Sequence, residues 1–352
     1  MFRFEEGLLK SGPVREQRAA ALSVLSSALE AVDPGRAVSR FFRRDGHLLI
    51  VAGRPYDLRE FDRVLVVGGG KAGASMAAAV EAELAERVSG GVVNVKYGHL
   101  APVDRIRIHE AGHPRPDQQG LAGTAEMVDL LKGAGPRDLV ISVISGGGSA
   151  LMELPAGRIT LADMRWLTDE LLRSGATINE INTIRKHLSM VKGGQMARIA
   201  SPAPLIALIL SDVVGNPLDV IASGPTVPDT STFQDAWRLL RVYGISDRLP
   251  EPILERLRAG LAGEIPDTPK GGDPIFARVQ NVVVASNELA ADAAADRARK
   301  LGMNTLILST FIEGEAREVA KLFAAVAKEI AVHSRPVARP ACVIAGGETT
   351  VT

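Results

Sequence analysis

Short continuous apolar runs alternate along the chain with longer stretches whose apolar residues recur at helical spacing. Continuous runs of this length are typical of strands buried on both faces, and strands that alternate with helices indicate a parallel sheet. We predict strands at 64–67, 92–95, 105–109, 139–143, 205–210, 282–285, 305–309 and 342–345. We predict helices at about 14–32, 73–87, 119–132, 287–301 and 314–333.

Local turn signals add detail to this pattern. Asp33-Pro34-Gly35 is expected to end the first helix, and Asp45-Gly46 to form the turn of a hairpin. Thr160 with Asp163 predicts a helix start of the capping-box type, with Asp in place of the usual Glu or Gln.

The pattern predicts an α/β protein with two domains. The stretch 246–275 is richer in Pro, Gly and charge, so we interpret it as a connection between a domain at 1–245 and a smaller one at 276–352. The last residues, 346–352, read as a loop entering a strand. We therefore expect the natural chain to continue and the second domain to be incomplete here.

Three apolar strands end in glycine clusters, in the sequences VLVVGGGKAG, LVISVISGGGSA and CVIAGGETT. Ligands of an open parallel sheet bind beyond the carboxyl ends of its strands, where glycine lets N–H groups approach an anion. A tight strand-to-helix turn is the alternative explanation for one such glycine. Three clusters favour phosphate or carboxylate binding, with the candidates Gly69, Gly70, Ser145, Gly146, Gly147, Gly148 and Ser149.

The first cluster fits the dinucleotide pattern G-x-G-x-x-G at Gly68, Gly70 and Gly73. An NAD-binding domain would carry an acid at the end of the next strand, but 92–96 reads VVNVK. An NADP site stays open because Lys96 could meet a 2′-phosphate. The P-loop pattern is excluded, because Gly70-Lys71 is followed by Ala rather than by Ser or Thr.

The segment 182–194, NTIRKHLSMVKGG, supplies further cations. Arg185 and Lys192 are separated by two helical turns, so we expect both on one face of a helix. A solvated basic face is the alternative. The adjacent glycines favour an anion-binding role for both residues.

Two acids follow the strand at 205–210. Asp212 comes directly after it, and Asp219 lies further along the same loop. An acid at this place is a candidate magnesium ligand or proton acceptor, with a turn or cap residue as the alternative. Ser223, Gly224 and Thr226 add donors suited to oxygen anions.

Two smaller groups complete the candidates. Asn287 and Glu348 each follow an apolar strand near the C-terminus and are candidate ligand contacts, with helix capping as the alternative for Asn287. His99 and His113 lie in loops, and we interpret them as ordinary surface or core-edge histidines, because a metal site needs more convergent ligands.

Composition narrows the classes of function. Hydrophobic residues make up 46% of the chain. The 41 basic residues balance 41 acidic ones, so the chain lacks the excess of basic residues that is typical of nucleic-acid-binding proteins. The single Cys342 cannot form an intrachain disulfide, which fits the cytoplasm. The N-terminus lacks an apolar signal-peptide core, and no apolar run reaches the ~18 residues of a membrane span.

Together the motifs resemble the glycerate 2-kinase family, whose members carry a C-terminal MOFRL-type domain. The matching segments are GGGKAGASMA, YGH, EAGHPRPD, ISGGGSALMELP, NEINTIRKHLSMVKGGQMA, SDVVGNPLDVIASGPTVPD and AGGETTVT. The resemblance implies a Rossmann-like, doubly wound parallel-sheet domain and a smaller α/β domain with the active site between them. It also implies transfer of phosphate from ATP, with Mg²⁺, to the 2-hydroxyl of D-glycerate, a step of carbohydrate metabolism.

The resemblance assigns the family's loop lysine to Lys71, its basic helix residues to Arg185 and Lys192, and its acidic loop to Asp212 and Asp219. Lys71, Arg185 and Asp212 would then be catalytic, and the two aspartates would hold the metal. The family continues past GGETTVT with a functional arginine and asparagine. We further expect a cytoplasmic enzyme that forms a homodimer.

Two other functions stay open. Some relatives carry hydroxypyruvate reductase names, and the glycine pattern at 68–73 is compatible with an NAD(P)-dependent reductase. A non-catalytic binder of sugar phosphates on the same fold is the second alternative.

Overall fold

The computed structural model describes residues 14–352 of the chain. Its strands are β1 (Phe42–Asp45), β2 (Leu48–Val51), β3 (Arg54–Asp57), β4 (Arg63–Gly69), β5 (Val88–Lys96), β6 (Ile106–Ala111), β7 (Asp138–Ile144), β8 (Leu205–Leu210), β9 (Val279–Ala285), β10 (Asn304–Ile312) and β11 (Ala341–Gly347). Its helices are α1 (Arg15–Ala31), α2 (Pro34–Phe41), α3 (Gly73–Leu84), α4 (Gln118–Lys132), α5 (Gly148–Leu151), α6 (Leu161–Arg173), α7 (Ile178–Leu188), α8 (Gln195–Ala200), α9 (Phe233–Val242), α10 (Glu251–Leu261), α11 (Asn287–Lys300) and α12 (Ala316–His333).

A six-stranded sheet with the order β6-β5-β4-β7-β8-β9 organises the fold. The β6–β5, β5–β4, β4–β7 and β7–β8 pairs are parallel. Every residue of β7 is buried, and so is every residue of β4 after Arg63, as expected for strands covered on both faces. All eight strands predicted from apolar runs are present, so the predicted α/β class is confirmed.

The chain forms two compact units. The larger comprises Val38–Leu210 and Pro217–Val283, and the smaller comprises the described residues up to Ala37, Ser211–Asn216 and Val284–Thr352. This division differs from the predicted one, because the stretch 246–275 lies within the larger unit. Its charged residues belong in part to the half-exposed helix α10 rather than to a connection.

The smaller unit contains the parallel pair β10–β11. Helix α1 packs on α11 there, through Val24, Ala294 and Ala298, and Arg297 Nε donates to Ser23 Oγ at 2.7 Å. The N-terminal helix, predicted as part of the first domain, is therefore built into the smaller unit.

Several local predictions are confirmed, but the helices α2, α5, α8, α9 and α10 and the strand β3 were not predicted. The predicted hairpin is present, but its turn is Gly46-His47, one residue later than predicted, and Thr160 caps α6 in a capping box with Asp163. Pro34 begins α2 instead of only ending α1, because proline suits the first helical turn, where no N–H partner is needed. The short β3 carries three polar residues and a proline, so no apolar run marks it.

Helix α7 packs against other helices in a hydrophobic core. Its buried positions Ile181, Ile184 and Leu188 pack with residues of α6, α9 and α10. The opposite side of the helix is thereby left for the charged residues Arg185 and Lys186. Within residues 14–352, no helix combines the length and the apolar composition needed to cross a bilayer.

Candidate functional site

The first glycine loop, Gly68–Gly73, is fastened to the second glycine loop, Ser145–Ser149. The Lys71 N–H donates to Gly146 O at 2.9 Å, and the Ala72 N–H donates to Ser145 Oγ at 3.0 Å. In the other direction, the Ser145 N–H donates to Gly69 O at 3.2 Å. The two loops thus form one bonded structure at the carboxyl ends of β4 and β7.

Close approach explains the glycines at two positions of these loops. A Cβ on Gly70, whose φ is 141°, would lie 2.1 Å from Ser145 Oγ. A Cβ on Gly147, whose φ is 87°, would lie 2.9 Å from His113 Cδ2 and 3.5 Å from Lys71 Cγ. Such distances exclude a side chain at Gly70, and both φ values favour glycine.

The backbone donors of the two loops differ in use. In the first loop the N–H groups of Gly70 and Gly73 bond to Asn94 O and Gly70 O, and those of Lys71 and Ala72 bond to the second loop. In the second loop, by contrast, the Gly146 and Gly147 N–H groups have no acceptor within the described part of the chain. An anion would therefore meet the second loop's amides and the exposed Lys71 side chain; the roles of Gly69 and Gly70 stay predictions.

Both loop histidines lie against these loops. His99 Nδ1 is 3.0 Å from Lys71 O, and the His113 ring lies against Gly147. Sequence reasoning treated them as ordinary histidines, but they line the same structure as Lys71. The available signal was that His99 and His113 both sit in glycine-containing loops at strand ends.

A cluster of three charged side chains, the loop cluster, adjoins the second loop. It consists of the buried Glu153 and Lys192 and the partly buried Arg185. Glu153 Oε2 accepts from Arg185 Nη2 at 2.9 Å and lies 3.0 Å from Lys192 Nζ. Glu153 and Lys192 are each 1% exposed. Burial lowers the pKa of Lys192 to about 8, although the Glu153 charge opposes the shift. For Glu153 itself burial would raise the pKa, but the charges of Lys192 and Arg185 outweigh it and hold that pKa below its usual range.

Arg185 and Lys192 do not share a helix face, so that prediction is wrong. Helix α7 ends at Leu188 because Ser189 is extended, with φ −108° and ψ 153°. Lys192 lies beyond the helix, and Glu153 brings the two cations together. Glu153 was missed, although a lone acid within the apolar run ALMELP signals a buried carboxylate that needs partners.

A chain of polar groups links the second loop to the segment around Ser223. Ser149 Oγ and Ser223 Oγ are 2.9 Å apart, and Ser223 Oγ donates to Asn182 Oδ1 at 3.0 Å. Ala222, Ser223 and Gly224 have consecutive left-handed φ values of 50°, 61° and 63°. The predicted donor Thr226 instead bonds to Asn281 Oδ1 at 2.6 Å.

The carbonyl groups of this left-handed segment are held from a neighbouring turn. The Gly193 N–H donates to Ser223 O at 2.9 Å, and the Gly194 N–H donates to Gly224 O at 2.7 Å. The predicted glycine pair after Lys192 therefore supports Ser223 and Gly224 through its backbone.

A second group of charges, the aspartate cluster, consists of Lys186, His187, Asp229 and Asp267. Lys186 Nζ donates to Asp229 Oδ1 at 3.3 Å, and His187 Nε2 is 2.9 Å from Asp267 Oδ1. Asp229 also accepts from the Ser231 N–H and from the hydroxyl groups of Ser231 and Thr268. Burial would raise the pKa of Asp229, but Lys186 and these donors outweigh it and lower the pKa.

The two predicted metal ligands lie in different units. Asp212 is exposed just after β8, in the smaller unit. Asp219 belongs to the larger unit, its carboxylate is 45% exposed, and Oδ2 lies 3.6 Å from Lys186 Nζ. Within residues 14–352, no group of three or more His, Cys, Asp and Glu side chains is arranged to hold a metal.

Asn287 and Glu348 occupy the strand ends of the smaller unit. The capping alternative for Asn287 is wrong, because Ser286 is the N-cap and its Oγ accepts from the Leu289 N–H at 3.3 Å. Asn287 Nδ2 instead donates to Thr310 O at 2.8 Å, and its amide packs against Gly346. Glu348 has an exposed side chain, and its N–H donates to Ile312 O at 2.9 Å.

Asn94 holds the strand position at which a dinucleotide site would need an acid. The residue is fully buried, and its Nδ2, which has two hydrogens, lies within hydrogen-bonding distance of Gly120 O, Thr124 Oγ1 and Leu151 O. Because Nδ2 is bonded within the protein and the whole side chain is buried, the Asn94 amide is not accessible to a ribose.

Comparison with known proteins identifies the family. Residues 20–258 match a family described as a domain of unknown function, DUF4147. A glycerate 2-kinase from Pyrococcus horikoshii is 42% identical over 335 residues, which are 95% of this chain and 74% of the relative's length. A relative from Agrobacterium vitis with a hydroxypyruvate reductase name is 45% identical over 82% of this chain and 64% of its own length.

A solved structure extends the likeness from sequence to fold. The crystal structure of a glycerate kinase from Thermotoga maritima has a TM-score of 0.83 and 38% identity. The match covers 96% of this chain and 75% of that one. With this fold and this identity, the chain belongs to the glycerate 2-kinase family.

Proposed function

We propose that the protein transfers the γ-phosphoryl group of ATP to the 2-hydroxyl group of D-glycerate. The observation that carries the proposal is the second glycine loop, which presents two N–H groups without an acceptor in the described chain, next to Lys71 and Arg185. A site for phosphoryl transfer needs positioning and neutralisation of negative charge above all. The names of the relatives supply the substrate.

Lys71 and Arg185 have proposed places on the ligand, whereas Lys192, which was predicted to bind an anion, is 1% exposed and donates to Met152 O. The Lys71 ammonium group neutralises the transferred phosphoryl group, and the Gly146 and Gly147 N–H groups hold phosphate oxygens. Arg185 uses Nη2 for both Ser149 O and Glu153, so Nη1 is the nitrogen for the glycerate carboxylate. At the same loop, Asn182 Oδ1 accepts from the Ser223 hydroxyl group, which lies next to the Ser149 hydroxyl group, so both hydroxyl groups are held in place.

In the reaction, the 2-hydroxyl oxygen forms a bond to the γ-phosphorus while the bond to the β–γ bridging oxygen breaks and ADP leaves. The hydroxyl proton passes to a carboxylate, for which we propose Asp212. Asp212 and Asp219 are exposed or half-exposed, as suits Mg²⁺, which is usually bound through one or two carboxylates plus substrate phosphates. Mg²⁺ would supply charge neutralisation on the phosphates, and Asn287, Glu348 and Thr226 remain proposed ligand contacts.

We make three further proposals, about the domain type, the cellular compartment and the oligomeric state. The smaller unit is a part of the MOFRL-type domain, the enzyme works in the cytoplasm, and it forms a homodimer. The single cysteine supports the second of these.

An assay with ATP, Mg²⁺ and D-glycerate tests the proposal, with ADP release measured by a coupled reaction and the product position read by phosphorus NMR. A phosphorus signal coupled to the proton on C2 is expected. Oxidation of NAD(P)H with hydroxypyruvate, without use of ATP, would instead establish the reductase, and tight phosphoester binding without either reaction would establish a binding protein.

A further inference from the structure

Helix α5 ends on carbonyl groups that side chains from distant elements satisfy. A helix leaves its last C=O groups without backbone partners, and α5 has only four residues. Ser149 O accepts from Arg185 Nη2 at 3.0 Å, Leu151 O accepts from Asn94 Nδ2 at 2.8 Å, and Met152 O accepts from Lys192 Nζ at 3.1 Å. Three side chains thus stand where the next helical turn would be.

One carboxylate oxygen joins the two cations of this set. Glu153 Oε2 contacts both Arg185 Nη2 and Lys192 Nζ, at 2.9 and 3.0 Å. Two cations that share one carboxylate oxygen lie close together, and like charges repel strongly when they are buried. The two cations therefore need the Glu153 anion between them. Glu153 Oε1 and Arg185 Nε are buried and have no hydrogen-bond partner in the part of the chain that the structure describes.

Building on the proposed function, we infer that Glu153 is a positioning residue. It holds the Arg185 guanidinium and the Lys192 ammonium groups on the carbonyl oxygens that end α5, and thereby fixes the second glycine loop and aims Arg185 at the substrate. Glu153 does not touch the reacting atoms, because it is 1% exposed beneath the loop.

The charge state of Lys192 gives this role a distinctive signature. The charged groups that act on Lys192 are Glu153, which raises its pKa, and Arg185, which lowers it, with burial as the largest lowering cause. The balance places the pKa at about 8. Without the Glu153 carboxylate, both remaining influences lower the pKa, and Lys192 loses its proton at a lower pH.

The variant Glu153→Gln keeps the shape and removes the charge. In the unmodified enzyme, turnover should fall as the pH rises through about 8, because Lys192 loses its proton. In Glu153→Gln we expect kcat to fall at least about 10-fold at pH 7.5, and this alkaline decline to begin at least about one pH unit lower, corresponding to about 1.4 kcal/mol in the protonation of Lys192. Glu153→Asp, which keeps the carboxylate, should return the decline toward its original pH.

Asp138→Asn is the matched control. Asp138 is also a buried acid, 6% exposed and paired with Arg63 at 2.7 Å, but it begins β7 and so lies at the opposite end of the strand from the loop. This variant should lose stability without moving the pH profile. A pH profile and kcat in Glu153→Gln equal to those of the unmodified enzyme, with only a lower melting temperature, would overturn the inference.

A direct titration separates this inference from the proposed function. In protein with ¹³C-labelled lysine, the Cε signal that disappears in Lys192→Met reports protonation of Lys192 without any substrate. Its midpoint should lie near pH 8 and fall in Glu153→Gln. An unchanged midpoint would refute the role of Glu153, whereas absence of kinase activity with a shifted midpoint would refute only the proposed reaction.

Discussion

Arg185, Lys186 and His187 are consecutive residues of helix α7, yet their side chains enter two charge clusters of different character. In the aspartate cluster, Asp229 is surrounded by an ammonium group, two hydroxyl groups and an N–H group, and His187 bonds at both ring nitrogens. In the loop cluster, Glu153 Oε1 and Arg185 Nε lack partners within residues 14–352.

This difference separates a stabilising role from a functional one. A buried polar group without a partner costs about 1–3 kcal/mol, so the loop cluster is the less stabilising of the two arrangements. The aspartate cluster ties α7 to the segments at 229–231 and 267–270, whereas the loop cluster ties it to the second glycine loop. We therefore expect substitutions in the first to change stability and substitutions in or near the second to change turnover.

The largest expected effect is at Lys71, whose N–H donates to Gly146 O of the second glycine loop. Lys71→Ala should lower kcat by about 10⁴-fold, since a cation on the transferred phosphoryl group contributes on that order. Its exposed side chain predicts little change in melting temperature. Lys96→Ala is the control, because Lys96 would serve only an NADP site. A larger loss in Lys96→Ala than in Lys71→Ala would reverse the assignment.

The aspartate cluster should show the opposite behaviour. Asp229→Asn is expected to lower the free energy of unfolding by about 3–5 kcal/mol, because it leaves Lys186 buried without its closest partner. Urea denaturation measures this change, and kcat per folded molecule should fall far less than in Lys71→Ala, because the substitution reaches the proposed site only through the contact of Lys186 with Asp219. Asp129→Asn, at a carboxylate that is 75% exposed, should change stability by less than about 0.5 kcal/mol. A stable Asp229→Asn with impaired turnover would place the aspartate cluster in the active site.

Arg185→Lys tests the loop cluster from its other side. Lysine keeps the charge but lacks the planar fork that lets Nη2 bond Ser149 O and Glu153 while Nη1 stays on the carboxylate, so kcat/KM for D-glycerate should fall about 10²-fold. Steady-state kinetics at several glycerate concentrations measure it. Arg173→Lys, at an exposed arginine paired with Glu170, serves as the control. Equal kinetics in the two variants would remove Arg185 from substrate binding.

The smallest expected effect is a pH dependence of stability in the aspartate cluster. Burial would raise the pKa of Asp267, but its hydrogen bond and charge interaction with His187 outweigh burial and leave the pKa far below its ordinary range. Such a carboxylate adds stability above its unfolded pKa of about 3.9 and loses it as the pH falls through the folded value. Denaturation at pH 6, 5, 4 and 3 should therefore show a shallower acid decline in Asp267→Asn. Parallel curves for the two proteins would contradict the shift.

The fold was predictable where the spacing of apolar residues and the residues typical of turns and helix caps indicated the same element. Apolar runs identified β4, β7 and β8, and Thr160 identified the start of α6. The helices α9 and α10 were not predicted, nor was β3, whose four residues RPYD carry no alternation. The division into units also escaped, because the packing of α1 on α11 joins segments far apart in sequence.

The candidate site was predictable to the level of its loops but not of its side-chain pairing. Lys71 and the second glycine loop follow from glycine placement at strand ends. That Glu153 would join Arg185 to Lys192 does not, because the pairing depends on where α7 stops and the chain turns at Ser189. His99 and His113 were missed for the same reason, since loop histidines acquire a neighbour only through the tertiary fold.

The left-handed run at Ala222, Ser223 and Gly224 limits how far this protein can gain stability without losing the placement of Ser223. A residue other than glycine in that conformation costs about 1–3 kcal/mol, and two of the three are not glycine. The conformation keeps Ser223 Oγ between Ser149 and Asn182. Variants selected only for heat resistance should therefore accumulate glycine at 222 or relax this segment, and those that relax it should lose the serine's placement.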